Sequence, residues 1–183
     1  MYTVAALIQS NYGLRQDLVI GGVPIGKILN REAGVEQSKQ SGIPASRTKD
    51  GSIIVLVVTD APLTTNQLDR VARHVTAGLC QVGSYGVGRN SSGDIFVALS
   101  TAPHGPEVPE VTDKSRIETY ATESVRNVSI DPFFYACAEV VEEAILNSMV
   151  GAAEGTVGMD GTTVEGLPID RVRELLAQHL VNA

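Results

Sequence analysis

Residues 51–79 read GSIIVLVVTDAPLTTNQLDRVARHVTAGL. The six apolar residues from Ile53 to Val58 have the length and β-branched content of a strand inside a sheet. Asp60-Ala61-Pro62-Leu63 turns the chain. Thr64 with Gln67 three positions on matches a capping box, and Leu68, Val71, Ala72, Val75 and Leu79 recur at the helical period, so a helix follows and ends near Gly83. A buried strand fed directly into an amphipathic helix is the unit from which layered α and β folds are built.

The same unit recurs on either side. Thr3–Ile8 (TVAALI) is a short apolar run suited to a strand covered on both faces. It begins almost at Met1, with no turn in front of it, which predicts a segment preceding it. Leu18–Leu29 carries short strand-like pieces around Gly21-Gly22 and Gly26. Residues 31–50 (REAGVEQSKQSGIPASRTKD) are rich in Ser, Lys, Gln and Gly and predict an exposed linker. Beyond the helix, the Gly- and Ser-rich stretch 83–93 predicts a loop and Asp94–Leu99 another buried strand. Pro103, Pro106 and Pro109 mark a second loop. Asp131 followed by Pro132 predicts a helix start with Asp131 as N-cap. That helix has a core stripe of Phe134, Cys137, Ala138, Val141, Ile145 and Met149. A last helix is predicted over about 168–180. Continuous apolar strands predict sheet covered on both sides. Helix-sheet-sheet-helix layers satisfy this, and so does a three-layer sheet.

Composition narrows the function. The chain has 183 residues, 43% hydrophobic and 4% aromatic, enough for one domain with an aliphatic core. A net charge of −7 argues against nucleic acid, whose phosphates need clustered Lys and Arg. No apolar run approaches the roughly 20 residues that span a bilayer, and Met1–Gln9 lacks a signal peptide's basic start. Cys80 and Cys137 fall on helices without metal spacing and predict two buried, reduced thiols in a cytoplasmic protein. His74, His104 and His179 are mutually isolated, so neither a metal site nor a histidine-based triad is expected. Gly83, Gly86 and Gly88 follow a helix rather than a strand, which argues against a nucleotide loop.

Ser52 stands apart because polar loop meets buried strand at Gly51–Ser52. Gly51 leaves its carbonyl sterically open. The Ser52 hydroxyl can attack that carbonyl, move the acyl group from nitrogen to oxygen and leave an ester for water to hydrolyse. The new α-amine, ordinarily with a pKa of roughly 7.7–8.0, then serves as general base beside its own hydroxyl. On the residues alone, a strand-capping serine after a turn glycine is the stronger reading.

The segment 51–79 resembles the signature of the L-aminopeptidase/D-esterase (DmpA-like) and β-aminopeptidase family of self-cleaving serine peptidases. SSGDIFVALSTA, DPFFYACAEVVEEAILNSMVGA, GMDGTTVEGLPIDRVRELL and the opening YTVAALIQSNYG resemble further family blocks in the same order. The resemblance implies an α+β fold, a four-layer αββα sandwich of N-terminal-nucleophile type, incomplete here at the N-terminus. Residues 1–183 then form a single domain: 1–51 end the larger-subunit segment and 52–183 are the smaller, nucleophile-bearing one. It implies cleavage at Gly51–Ser52, Ser52 as nucleophile, Asn11 as an oxyanion donor, and Ser92 with Asp94 contacting the nucleophile and its amine. Family members often have Glu at the position of Asp94. The implied substrates are short peptides, amides or esters, with no cofactor and no metal. The implied assembly is a homo-oligomer that needs an N-terminal segment supplying a glycine-rich region and a tyrosine. Two alternatives stay open: a partner-dependent or inactive subunit, and an acyl transferase like ornithine acetyltransferase, whose nucleophile is Thr rather than Ser. Glu142 and Glu143 read as a solvated helix face.

Overall fold

The computed structural model describes residues 1–34, 51–86, 92–103, 117, 119–159, 161 and 163–179. The elements in chain order are β1 (Val4–Asn11), α1 (Ile25–Glu32), β2 (Ser52–Thr59), α2 (Thr65–Gln81), β3 (Ile95–Ser100), α3 (Asp131–Gly151), β4 (Thr156–Val157), β5 (Thr163–Val164) and α4 (Ile169–His179). β1, β2 and β3 form one sheet in that order, with β1 antiparallel and β3 parallel to β2. A parallel pair needs a crossover, and α2 supplies it. β4 and β5 make a small antiparallel ribbon.

The apolar run of the central strand explains the core. Ile53, Val55 and Val57 are at most 1% exposed and point to one face, since strand side chains alternate. Against them α2 sets Val71, Val75 and Leu79, and α3 sets Phe134, Cys137, Val141 and Ile145. The α2 capping box is complete: the Gln67 N–H donates to Thr64 Oγ1 and the Thr64 N–H to Gln67 Oε1. Burial pushes the Cys137 thiol up to about 12, so it stays neutral and donates to the Val71 carbonyl at 3.3 Å. A second cluster joins Val23, Ile25 and Leu29 to Val172 and Leu175 of α4. Arg171 closes it with two hydrogen bonds to Glu32, at 2.6 and 3.1 Å. That contact lowers the Glu32 carboxyl below its ordinary value.

Several expectations need correction. The sheet is covered on one face only by the described elements: Leu7, Ile54, Ile95, Val97 and Leu99 are exposed on the other. The described residues therefore supply one helix layer and one sheet of the four layers expected. Leu18–Leu29 is not strand-like beyond the single bridge Ile20–Val23; α1 starts after Pro24. Gly26 is there because a Cβ would collide with the Arg15 carbonyl, not because a strand bends. Arg31 and Glu32 belong to α1 rather than to the linker, and 35–50 lie outside the described residues. Asp131 is the first helical residue, and the cap position is Ile130, with no side-chain cap bond. Cys80 is exposed and only Cys137 is buried, both as free thiols.

Candidate active site

Register brings the site together. Ser52 opens β2, and its partner across the antiparallel pair is Asn11, the last residue of β1. Facing pairs of this kind place their Cβ atoms about 4.5–5.5 Å apart. β3 runs parallel to β2, so the residues leading into β3 arrive at the same end of the sheet. Asn11, Ser52 and Gly93, roughly forty residues apart in sequence, thus meet because two strands start where a third stops.

The Gly93 N–H donates to Ser52 Oγ at 3.0 Å. The nucleophile candidate is therefore held by an N–H donor and keeps its own hydrogen free to give away. Ser92 Oγ lies 2.6 Å from the Gly51 carbonyl oxygen and 2.6 Å from Asp94 Oδ1. A hydroxyl has one hydrogen, so Ser92 serves one of these acceptors at a time. Donation to Gly51 polarises the carbonyl of the Gly51–Ser52 bond. Asp94 Oδ1 also accepts the Ile53 N–H at 3.1 Å, which pins the carboxylate to the start of β2. Gly51 presses against the backbone of Asn11 and Tyr12.

Three of the five residues singled out from sequence, Gly51, Ser92 and Asp94, are joined by these hydrogen bonds, and Ser52 is bonded to Gly93, which lies between Ser92 and Asp94 in the chain. Asn11 is placed beside them by register, and its side chain makes no hydrogen bond among the described contacts. Two contributors went unread. Gly93 acts through its backbone N–H, which no side chain advertises. Tyr12 is half-buried next to the site; desolvation first, then the charge of Asp94 and of Cys80, push its hydroxyl up to about 12. It stays neutral and borders a cavity of about 560 Å³ with Ser10, Asn11, Ser148, Met149 and Leu167.

The histidines are engaged elsewhere or exposed. His74 stacks on Phe134 with ring centroids 3.9 Å apart, and His179 ends α4; His104 lies outside the described residues. Among the described residues no group of three or more His, Cys, Asp or Glu is placed to hold a metal ion, and no helix is long and apolar enough to cross a membrane. Glu143 is exposed on α3, as expected, and Glu142 is half-buried.

An α+β chain whose central strand opens on a serine, behind a glycine carbonyl held by a second hydroxyl, has the parts of an N-terminal-nucleophile protein. The model of Peptidase family S58 matches residues 1–164, and the chain belongs to that family. It is 35% identical over 185 residues to the beta-peptidyl aminopeptidase BapA of Sphingosinicella microcystinivorans, covering 97% of this chain and 44% of that protein. The structure of L-aminopeptidase D-Ala-esterase/amidase from Ochrobactrum anthropi, described as a new variant among the Ntn hydrolase fold, matches with a TM-score of 0.72 and 35% identity, over 97% of this chain and 44% of that one. The β-aminopeptidase of Burkholderia sp. matches with a TM-score of 0.75 and 36% identity, over 100% of this chain and 46% of that one. The chain thus spans less than half the length of these relatives.

Proposed function

We propose that this chain carries the nucleophile of a serine aminopeptidase, matured by cleavage of its own Gly51–Ser52 bond and acting on short peptides, amides or esters. The observation that carries this reading is the pairing of contacts at one bond: Gly93 N–H on Ser52 Oγ at 3.0 Å and Ser92 Oγ on the Gly51 carbonyl oxygen at 2.6 Å. In maturation Ser52 Oγ attacks the Gly51 carbonyl carbon and its proton passes to the departing Ser52 nitrogen. The C–N bond breaks and an ester forms. Water then attacks the ester, leaving a Gly51 carboxylate and a free Ser52 amine. In turnover that amine takes the Ser52 hydroxyl proton, the oxygen attacks a substrate carbonyl, the scissile C–N or C–O bond breaks as the proton passes to the departing amine or alcohol, and water then hydrolyses the acyl-serine ester. Asn11, beside Ser52 in register, is the proposed side-chain donor to the oxyanion; such a donor is worth about 10²–10³ in rate. Ser92 holds the carbonyl first, and Ser92 and Asp94 orient the new amine afterwards. Residues 1–51 and 52–183 are then two segments of one domain.

The relatives' names support peptidase chemistry, and the serine at position 52 speaks against the threonine-dependent acyl transferase. The test is the intact mass under denaturing conditions of the wild type and of Ser52→Ala. Two fragments meeting at Gly51–Ser52 in the wild type and one uncut chain in the variant are expected. A cut that persists in Ser52→Ala would remove Ser52 from the mechanism.

A further inference from the structure

Two glycines flank Ser52, and the structure gives them different reasons. Gly51 lies on the β1 side: continuing the β1–β2 register by one residue sets it opposite Tyr12, and a Cβ there would strike the backbone of Tyr12 and Asn11. The paired strands themselves close that side, so it accepts a glycine and no residue with a side chain. Gly93 lies on the β3 side, two residues before Ile95, the partner of Ile54. Alternation puts its outward face on the same side of the sheet as Ser52 and Asn11. Gly93 does not have a positive φ. Among the described residues, a Cβ added to it would come within 4 Å of one atom only, Ser52 Oγ at 3.6 Å. That is ordinary contact distance, so the folded chain has room for alanine. The N–H that Gly93 gives to Ser52 is available from any residue except proline. Glycine costs backbone entropy that alanine would save. Among the described residues, neither backbone nor packing asks for it.

We propose that Gly93 is a specificity-determining residue: its bare Cα leaves the room beside Ser52 Oγ that admits acyl groups substituted at the carbon next to the carbonyl. This role rests on the peptidase reading and narrows its substrates. In the acyl-serine ester the acyl carbon is one bond from Oγ and its substituents are two. Carbon atoms that are not bonded pack about 3.5–4.0 Å apart. A methyl group 3.6 Å from Oγ would therefore overlap any acyl substituent that turns towards β3. The substituents have little choice of side. The carbonyl oxygen turns towards Asn11, its proposed donor, on the β1 side. The close approach of Gly51 to Tyr12 and Asn11 shuts that side to a branched carbon. The β3 side, over Gly93, is left for the carbon chain of the acyl group. Self-cleavage makes no such demand, because the acyl group is then Gly51 itself, which has no side chain. One oxygen thus takes a glycyl group on one flank during maturation and a substituted acyl group on the other in turnover.

The experiment compares wild type with Gly93→Ala on glycyl, L-alanyl and D-alanyl p-nitroanilides, in which the Oγ–acyl bond forms as p-nitroaniline leaves with the proton. The quantity read is the ratio of alanyl to glycyl kcat/KM, for the alanyl enantiomer that wild type prefers. In Gly93→Ala it is expected to fall about ten-fold or more, the scale on which one carbon discriminates in a tight site, and in Gly93→Val further still. An unchanged ratio overturns the proposal. So does a wild type that cuts itself yet hydrolyses neither alanyl compound. Intact mass under denaturing conditions keeps the two readings apart. The cut at Gly51–Ser52 is expected to persist in Gly93→Ala; its loss would overturn the proposal by assigning the bare Cα to the placement of Ser52. A wild type that neither cuts nor releases p-nitroaniline sinks the peptidase reading and this role with it. A cut with an unchanged ratio removes the role of Gly93 and leaves the peptidase reading standing.

Discussion

A Cβ added to Gly51 would lie 2.8 Å from the Tyr12 Cα and 2.9 Å from the Asn11 carbonyl oxygen. Both are backbone atoms at the end of a paired strand, so neither yields as a flexible side chain would. Gly51→Ala therefore forces the Gly51 carbonyl away from Ser92 or Asn11 away from Ser52. The expected outcome is self-cleavage at least ten-fold slower than wild type, followed as the decay of the uncut mass, with far-ultraviolet circular dichroism unchanged. Cleavage at the wild-type rate would show that this close approach does not position the bond. Gly51 and Ser52 could be read from sequence because an abrupt change from polar to apolar residues falls between them. Asn11, Ser92 and Asp94 could be read only through a family resemblance, since an asparagine in a loop and a serine two before an acid occur in countless turns. Gly93 could not be read: its contribution is an amide hydrogen, and its position depends on where β3 starts relative to β2.

Elements with a strong periodic signal and their own stop signals came out near their expected bounds. β2 spans Ser52–Thr59 and α2 begins behind its capping box at Thr64. α1 was missed because it has eight residues, a glycine at its second position and a proline before it, all of which favour turns locally. It exists because Ile25 and Leu29 bury against α4, a tertiary effect invisible to local propensity. The two covered faces expected for every strand were read from apolar runs; such runs report that a surface is to be buried, not which polypeptide buries it. Inside the helix layer, α2 and α3 meet at Gly78, where a Cβ would stand 2.7 Å from the Ala138 carbonyl oxygen and 2.8 Å from Val141 Cβ. Gly78→Ala gains helix propensity but must push the helices apart, and overpacking of that kind costs about 1–3 kcal/mol. A melting temperature lower by several degrees is expected, at about 2–4 °C per kcal/mol for a protein of this size. An unchanged or raised value would mean the pair separates freely.

Cutting the chain after Gly51 leaves two pieces that share one sheet and one ion-paired helix contact. β1 lies against β2 over eight residue pairs, and Glu32 of the first piece holds Arg171 of the second. The pieces should therefore stay together: native mass spectrometry of cleaved protein is expected to give the mass of the uncut chain plus one water, while denaturing conditions give two fragments. Loss of the 1–51 piece on simple gel filtration would contradict this. The convergence of Asn11, Ser52 and Gly93 has a further consequence, in time rather than in space. Each pairing closes a loop of about forty residues, and such closures are among the slower steps of folding. The reactive bond acquires its neighbours only when both closures are complete, so the break at Gly51 would record that the sheet has assembled. On the proposed maturation, an unfolded or misregistered chain would stay in one piece, and the cut would date the end of the molecule's own folding.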